Sequence, residues 1–163
     1  MTELVNIIVR YRFEIAGTLI MAFIAAYLAG LNSRLNRLAA ASEKFRNVFM
    51  NELKGLYPIP SDWPKDSLAI DYILRKAFPN LQSAVTEFRR FIPWYRRKCF
   101  DSDWFRYRCS TGRKIDAQCY HHYMPFSGSS IENGKEIKYD NTKTYKETFK
   151  NNVDNLLKYA KKT

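Results

Sequence analysis

The feature that most constrains this chain is an uninterrupted apolar run near its N-terminus. Ile15–Leu31 reads IAGTLIMAFIAAYLAGL, 17 positions without a charged side chain. A helix needs about 17–25 apolar residues to cross the hydrocarbon core of a bilayer, so the run is just long enough. Arg12 and Glu14 extend it, because flanking polar side chains can reach the membrane interface. The run predicts a transmembrane helix that anchors the protein.

Two other structures are compatible with the same run. The core helix of a soluble protein can be apolar, but such a helix usually keeps a polar face. A cleaved signal peptide would use Arg10 and Arg12 as its basic region, but Leu28-Ala29-Gly30 is a poor match to the small-residue cleavage pattern. We favour an uncleaved anchor over both alternatives.

Dividing the chain at Leu31 changes the meaning of its composition. The mean hydropathy of −0.43 and the formal net charge of +11 are typical of a basic, soluble protein. The first 31 residues contain two basic and two acidic residues, so the remaining 132 residues carry the whole net charge. A body this basic suggests anionic partners such as lipid headgroups, nucleic acid or an acidic protein surface.

Basic residues also predict the orientation of the anchor. Two precede the apolar run, Arg10 and Arg12. Those that follow within about 15 residues are Arg34, Arg37, Lys44 and Arg46. Because cytoplasmic flanks carry the excess of Lys and Arg, we expect a cytoplasmic C-terminal body and a short N-terminus outside.

Small residues recur every four positions within the run. They are Thr18, Ala22, Ala26 and Gly30. Such a ridge lets transmembrane helices approach closely, and it predicts packing against another membrane protein or a second copy. The alternative is that Ala and Gly are simply common in membrane helices.

An apolar stripe continues the helix beyond the run and predicts an amphipathic stalk over residues 32–57. Its members are Leu31, Leu35, Leu38, Ser42, Phe45, Phe49 and Leu53. The stripe binds either a partner or the protein's own domain, and the second alternative is the one we favour. Gly55 and the prolines after it end the stalk. The chain is therefore expected to contain a tail and span (1–31), a stalk (32–57) and a basic helical domain (58–163).

Short helices are predicted in the domain. The first starts at Ser61–Pro64 and is broken by Pro79-Asn80. The second ends at Pro93, and the third covers Trp94–Tyr107 with an interruption near Phe100-Asp101.

The segment from Cys109 to about Asp140 has no sustained period, and we expect short helices or a hairpin within it. Its turn signals are Gly112, Pro125, Ser127–Ser130 and Asn133-Gly134. Thr144-x-x-Glu147 matches a capping box at the start of a final amphipathic helix. The predicted fold class is mostly α: a transmembrane helix that continues into a small helical domain with one long irregular segment.

Four stretches of the body resemble a known family. They are AAASEKFRNVFMNEL (Ala39–Leu53), AFPNLQSAVTEFRRFI (Ala77–Ile92), FDSDWFRY (Phe100–Tyr107) and NNVDNLLKYAK (Asn151–Lys161). They are similar to a family of small, uncharacterised bacterial proteins anchored by a single membrane span, and the resemblance covers roughly residues 39–161. The resemblance implies a bacterial source and a single fold for the body, and it implies no activity and no functional residues.

The segment Arg89–Arg108 interleaves seven basic with seven aromatic residues. The basic ones are Arg89, Arg90, Arg96, Arg97, Lys98, Arg106 and Arg108, and the aromatic ones are Phe91, Trp94, Tyr95, Phe100, Trp104, Phe105 and Tyr107. The pattern is compatible with a solvated basic face over core aromatics, with contact to anionic lipid headgroups or an acidic partner, and with nucleic-acid binding. Because the body is tethered to a membrane, nucleic acid is the least favoured ligand.

Cysteine and histidine residues suggest one candidate metal site. Cys99, Cys109 and Cys119 are ten residues apart, and His121 and His122 follow closely. Cys109, Cys119, His121 and His122 could bind zinc as a cofactor, although the spacing is unlike that of a zinc knuckle. A Cys109–Cys119 disulfide is a second possibility, and three separate cysteines are the favoured one.

No catalytic motif of the GxSxG, Walker A, GxGxxG or HExxH type occurs in the sequence. We therefore expect a non-catalytic, single-pass membrane protein that acts as an accessory or scaffold subunit. A membrane-tethered nucleic-acid-binding module and a metal-binding protein that uses Cys119, His121 and His122 are the alternatives.

Overall fold

A computed structural model describes residues 2–109, 118–132 and 135–161 of the chain. Over these residues the α-helices are α1 (Thr2–Glu52), α2 (Ser67–Phe88), α3 (Trp94–Arg108) and α4 (Tyr145–Leu157). Short 3-10 helices cover Arg89–Phe91, His121–Tyr123 and Lys158–Ala160, and the strands are β1 (Ser127–Glu132) and β2 (Lys135–Asp140). The predicted mostly-α class, with a long N-terminal apolar helix followed by a small helical domain, is confirmed.

The chain divides into two compact units, Met1–Ala40 and Ala41–Thr163. The boundary between the two units, after Ala40, lies inside residues 32–57, which the sequence predicted to form one stalk. The reason is burial, since the side chains of residues 14–37 are exposed, whereas Ser42 is the first buried residue after them. The second unit therefore takes the C-terminal part of α1 as one of its own core helices.

Aromatic side chains form the core of the second unit. Phe45 stacks on Phe88 with ring centroids 4.5 Å apart, and Phe49 lies edge-on to Tyr107 at 6.3 Å. Phe149 also contacts Tyr107, at 6.2 Å. All five rings are buried, so residues on α1, α2, α3 and α4 share one hydrophobic cluster.

Gly55 shapes the turn that follows α1. Its φ of +84° is in the left-handed region that glycine adopts without steric cost. The amide of Asp62 donates to the carbonyl of Gly55 at 3.0 Å, and a Cβ on Gly55 would lie 3.0 Å from the Cβ of Asp62. The sequence predicted Gly55 as the glycine that caps the helix, but α1 already ends at Glu52, and Gly55 shapes the turn that follows it.

The predicted start and break of the first domain helix are both wrong. The helix α2 starts at Ser67, after Asp66 caps it by accepting a hydrogen bond from the amide of Leu68 at 3.0 Å. Pro79 lies inside α2 and does not break it. An interior proline costs about 3 kcal/mol, but Leu74 and Leu81 on either side of it are fully buried, and this burial outweighs the cost.

The interruption predicted at Phe100-Asp101 is also wrong, because α3 is continuous. Phe100 and Trp104 lie one turn apart and are both buried, which holds the helix to the core through this region. Asp101 faces outward and accepts two hydrogen bonds from the guanidinium of Arg89.

The hairpin expected between Cys109 and Asp140 is confirmed. The strands β1 and β2 are antiparallel, with Ser127 opposite Asp140. Residues 127–130, expected to form a turn, lie in β1, because strand pairing satisfies their backbone groups. Asn141 closes the base of the hairpin, since its side chain accepts from the amide of Phe126 at 2.6 Å. The turn signals Gly112 and Asn133-Gly134 lie outside the described residues.

The predicted capping box before α4 does not form. Thr144 precedes the helix, but its side chain makes no capping hydrogen bond. The carbonyl of Asn141 instead accepts from the amides of Thr144 at 2.9 Å and Tyr145 at 3.0 Å. A backbone turn therefore takes the place of the side-chain cap.

Candidate binding surfaces

The apolar run of the first unit is uncovered. The segment Glu14–Glu52 of α1 contains a stretch that is long and apolar enough to cross a membrane, and none of that stretch is buried within the described chain. Phe23, near its middle, is 77% exposed. A continuous exposed apolar surface of this size occurs where a membrane or a partner covers it.

The small-residue ridge lies on this exposed helix. Its members are Thr18, Ala22, Ala26 and Gly30, all exposed. The hydroxyl of Thr18 donates to the carbonyl oxygens of Ile15 at 2.9 Å and Glu14 at 3.0 Å, so it is satisfied within its own helix. In the part of the chain that the structure describes, no atom lies within 4 Å of a Cβ built on Gly30. Packing within this chain therefore does not require a glycine there.

The apolar stripe of the predicted stalk has two different environments. Leu31 and Leu35 are exposed, and Leu38 is half-buried. Phe45, Phe49 and Leu53 are at most 1% exposed, because they belong to the core of the second unit. The alternative in which a partner binds the whole stripe from Leu31 to Leu53 is therefore wrong for the C-terminal half of the stripe. That half packs on the protein's own domain.

The fold separates six of the seven aromatic residues of Arg89–Arg108 into two groups, and Phe105 is half-buried. Phe100, Trp104 and Tyr107 are buried in the core. Trp94 and Tyr95, in the first turn of α3, are 81% and 65% exposed, and Phe91 before them is 38% exposed. The exposed rings therefore cluster at the N-terminal end of the segment.

Most basic side chains of the same segment have partners within the domain. Arg89 forms a bidentate pair with Asp101, both contacts at 2.7 Å. The others with such contacts are Arg96 over the ring of Tyr159, Arg97 donating to the carbonyl of Ile92, Arg106 beside Asp103, and Arg108 over Trp104.

Arg90 and Lys98 differ from these five. Both are exposed, and neither forms an ion pair with any described residue. They lie where the 3-10 turn meets α3, next in sequence to three exposed aromatic residues. We call this set the aromatic–basic corner, and its members are Arg90, Phe91, Trp94, Tyr95 and Lys98. The sequence contained all five residues but did not distinguish them from the nine others in the segment.

Asp103 joins α3 to the C-terminal turn of the domain. Its carboxylate is buried, accepts from the hydroxyl of Tyr159 at 2.9 Å and pairs with Lys158 at 3.0 Å. Sequence reasoning missed this network, because its members are more than 50 residues apart along the chain.

The structure brings the backbones of Cys109 and Cys119 side by side. An isolated parallel bridge pairs their backbones, and the amide of Cys119 donates to the carbonyl of Arg108 at 3.0 Å. Cys99 is exposed on α3. Across residues 2–109, 118–132 and 135–161, no three His, Cys, Asp or Glu side chains are grouped so that they could hold a metal ion. Zinc binding by Cys109, Cys119, His121 and His122 stays a prediction.

Burial gives His122 a pH-dependent effect on stability. It lowers the pKa of this imidazole to about 4 from its ordinary 6.5. The folded protein therefore holds His122 neutral where the unfolded chain takes up a proton, so stability present above about pH 6.5 is lost as the pH falls towards 4.

We expect this loss to reach about 2–3 kcal/mol at pH 4, and His122→Asn to remove it. Urea titrations of the full chain between about pH 7 and pH 4 measure the difference. His121→Asn, at the exposed neighbouring position, is the control and should keep most of the wild-type pH dependence, because burial is the largest cause of the lowered pKa of His122. Equal acid sensitivity of His122→Asn and wild type would contradict the prediction.

Three tyrosines form a buried cluster beside His122. The hydroxyl of Tyr123 donates to the carbonyl of Tyr107 at 2.9 Å and accepts from the side chain of Asn152 at 2.9 Å. The hydroxyls of Tyr107 and Tyr120 have no hydrogen-bond partner among the described residues. Burial raises the pKa of all three phenols, so they stay protonated at neutral pH.

A shallow groove runs between α1 and α2 in the second unit. Its volume is about 270 Å³, and its floor includes Phe45 and Phe88. Lys44 and Glu87 form an ion pair at its edge, at 2.7 Å. The groove is too open to indicate a ligand by itself, and its lining does not resemble the convergent polar groups of a ligand site.

Comparison with other proteins assigns no function to these surfaces. The chain matches no protein-family model, no curated protein and no solved structure. The resemblance to small bacterial anchored proteins stays a prediction, and function has to be inferred from the surfaces themselves.

Proposed function

We propose that this protein is a non-catalytic, single-pass membrane protein that acts as an accessory or scaffold subunit for a membrane partner. The observation that supports it best is the uncovered apolar stretch of α1, whose side chains are exposed throughout residues 14–37. Water does not solvate such a surface favourably, so lipid or another apolar helix is its natural environment.

The proposed location is a bacterial inner membrane, with the second unit in the cytoplasm. The excess of basic residues after the span over those before it supports this orientation. The poor cleavage pattern at Leu28-Ala29-Gly30 supports retention of the helix as an anchor.

The small-residue ridge is the proposed contact for the partner, which is another membrane protein or a second copy of this chain. Its exposed side and the space around Gly30 support this role. A role in nucleic-acid binding has less support. Three of the seven rings of Arg89–Arg108 are buried in the core, and five of its seven basic side chains have partners within the domain.

The test is native mass spectrometry of the full chain extracted from membranes in a mild detergent. We expect a complex, either a dimer or an assembly with a co-purifying membrane protein. Ala22→Leu with Ala26→Leu should weaken it about tenfold, because bulky side chains separate the helices.

The matched control is Ile20→Phe with Ile24→Phe, which adds volume on the opposite side of the same helix and should leave the complex intact. A protein that is monomeric and carries no partner would contradict the accessory role. Equal weakening by both pairs of substitutions would contradict the ridge as the contact.

A further inference from the structure

We propose that the aromatic–basic corner binds the anionic headgroup layer of a lipid bilayer. The inference deepens the proposed function and rests on it, because the anchor brings a bilayer to the domain. It assigns a ligand to one surface of the second unit, formed by Arg90, Phe91, Trp94, Tyr95 and Lys98.

The exposure of the aromatic rings is the first support. Trp94 and Tyr95 are neighbours on the first turn of α3, with ring centroids 6.0 Å apart in an edge-on arrangement. Large rings usually bury most of their surface, yet these two remain mostly exposed. An indole and a phenol combine an apolar body with a polar tip, which suits the boundary between headgroups and acyl chains.

Charge is the second support. Lys98 lies one helical turn after Trp94, and Arg90 lies in the 3-10 turn before it. The acidic residues nearest along the chain are Glu87, Asp101 and Asp103. They are already paired, with Lys44, with Arg89, and with Lys158 and Tyr159 respectively. The corner therefore presents two uncompensated positive charges beside exposed rings, a combination complementary to anionic lipid.

The same observations favour lipid over nucleic acid. A single-strand binding track needs several cations in a groove and rings on which successive bases stack. In Arg89–Arg108, five of the seven basic side chains already have partners within the domain, and three of the seven aromatic rings are buried. A fluid headgroup layer does not require fixed phosphate spacing, and a tethered surface binds at a high effective concentration even when each contact is weak.

The experiment holds the full chain in nanodiscs of neutral phosphatidylcholine and adds vesicles as the probe. One set of vesicles is phosphatidylcholine alone, and the other contains about 30% phosphatidylglycerol. We expect the loaded nanodiscs to co-sediment with the anionic vesicles only, and to dissociate at about 0.5 M salt. Empty nanodiscs measure the background.

Two variants locate the contact. Arg90→Gln with Lys98→Gln should weaken vesicle binding about 30-fold. Lys65→Gln with Lys143→Gln, which removes the same charge at two exposed lysines elsewhere in the domain, should bind nearly as wild type. Trp94 also provides a spectroscopic signal, since Trp63 is half-buried and Trp104 is buried. Its emission should shift to the blue with anionic vesicles, and Trp94→Phe should abolish that shift. Near-ultraviolet circular dichroism checks that the variants fold.

The outcomes separate this inference from the proposed function. If the chain does not insert into nanodiscs, the proposed membrane anchor is wrong. If it inserts but does not bind anionic vesicles, only the proposed lipid binding by the aromatic–basic corner is wrong. Equal binding by the two double variants also overturns the corner. If a single-stranded oligonucleotide binds through Arg90 and Lys98 while vesicles do not, nucleic acid is the ligand instead.

Discussion

Replacement of both Ile20 and Ile24 by arginine is expected to abolish membrane insertion of the full chain. Each arginine near the middle of a span costs about 2.5–3.5 kcal/mol on insertion scales. The seven Leu, Ile and Phe residues of Ile15–Leu31 together contribute only about 2–4 kcal/mol, and the substitutions also remove two of them. The remaining apolar residues of the span therefore cannot offset the insertion cost of the two arginines.

Membrane insertion is measured by resistance to alkaline extraction and by glycosylation mapping of the two flanks. The control is Leu35→Arg, which introduces the same side chain at an exposed position between Arg34 and Arg37, beyond the apolar run. We expect the control to remain inserted. Insertion of the double arginine variant at the wild-type level would contradict the proposed anchor, and a shortened wild-type chain in mature membranes would identify a cleaved signal peptide.

The second large effect is expected at Phe49. We expect Phe49→Ala to lower the free energy of unfolding of the second unit by about 3–5 kcal/mol. The ring is fully buried and contacts Phe45 at 4.8 Å, Tyr107 at 6.3 Å and Trp104 at 6.5 Å. Its removal leaves a cavity between α1 and α3 that rigid aromatic neighbours cannot fill.

Urea unfolding of the full chain in nanodiscs measures this loss, with tryptophan emission, to which the buried Trp104 contributes, as the signal. Met50→Ala is the matched control, because Met50 is the next residue of α1 and is 41% exposed. The control should lose less than about 1 kcal/mol. A comparable loss at both positions would mean that the C-terminal part of α1 does not belong to the core.

The stripe from Leu31 to Leu53 could be predicted only in part from the sequence. Its spacing correctly predicted one apolar helix face, because that periodicity is a local property. It did not reveal that Phe45 and Phe49 are buried while Leu35 is exposed. That difference depends on Phe88 and Tyr107, which approach α1 only in the folded domain.

The errors at Pro79 and Phe100 have the same origin. A proline and a polar interruption are local signals for the end of a helix. In α2 and α3 the buried residues on both sides, such as Leu74 and Leu81, bind the helix to the core and override those signals. Correct helix boundaries therefore required knowledge of what each helix packs against.

By itself, the sequence determined the apolar run Ile15–Leu31, the basic character of the remainder and the mostly helical class. These properties depend on which residues are neighbours along the chain, and no fold alters them. Only the tertiary structure decided which part of α1 belongs to the domain, and which of the fourteen basic and aromatic residues between Arg89 and Arg108 form the aromatic–basic corner. Burial and ion pairing join residues distant in sequence, such as Asp103 with Lys158, so exposure is a property of the folded domain alone.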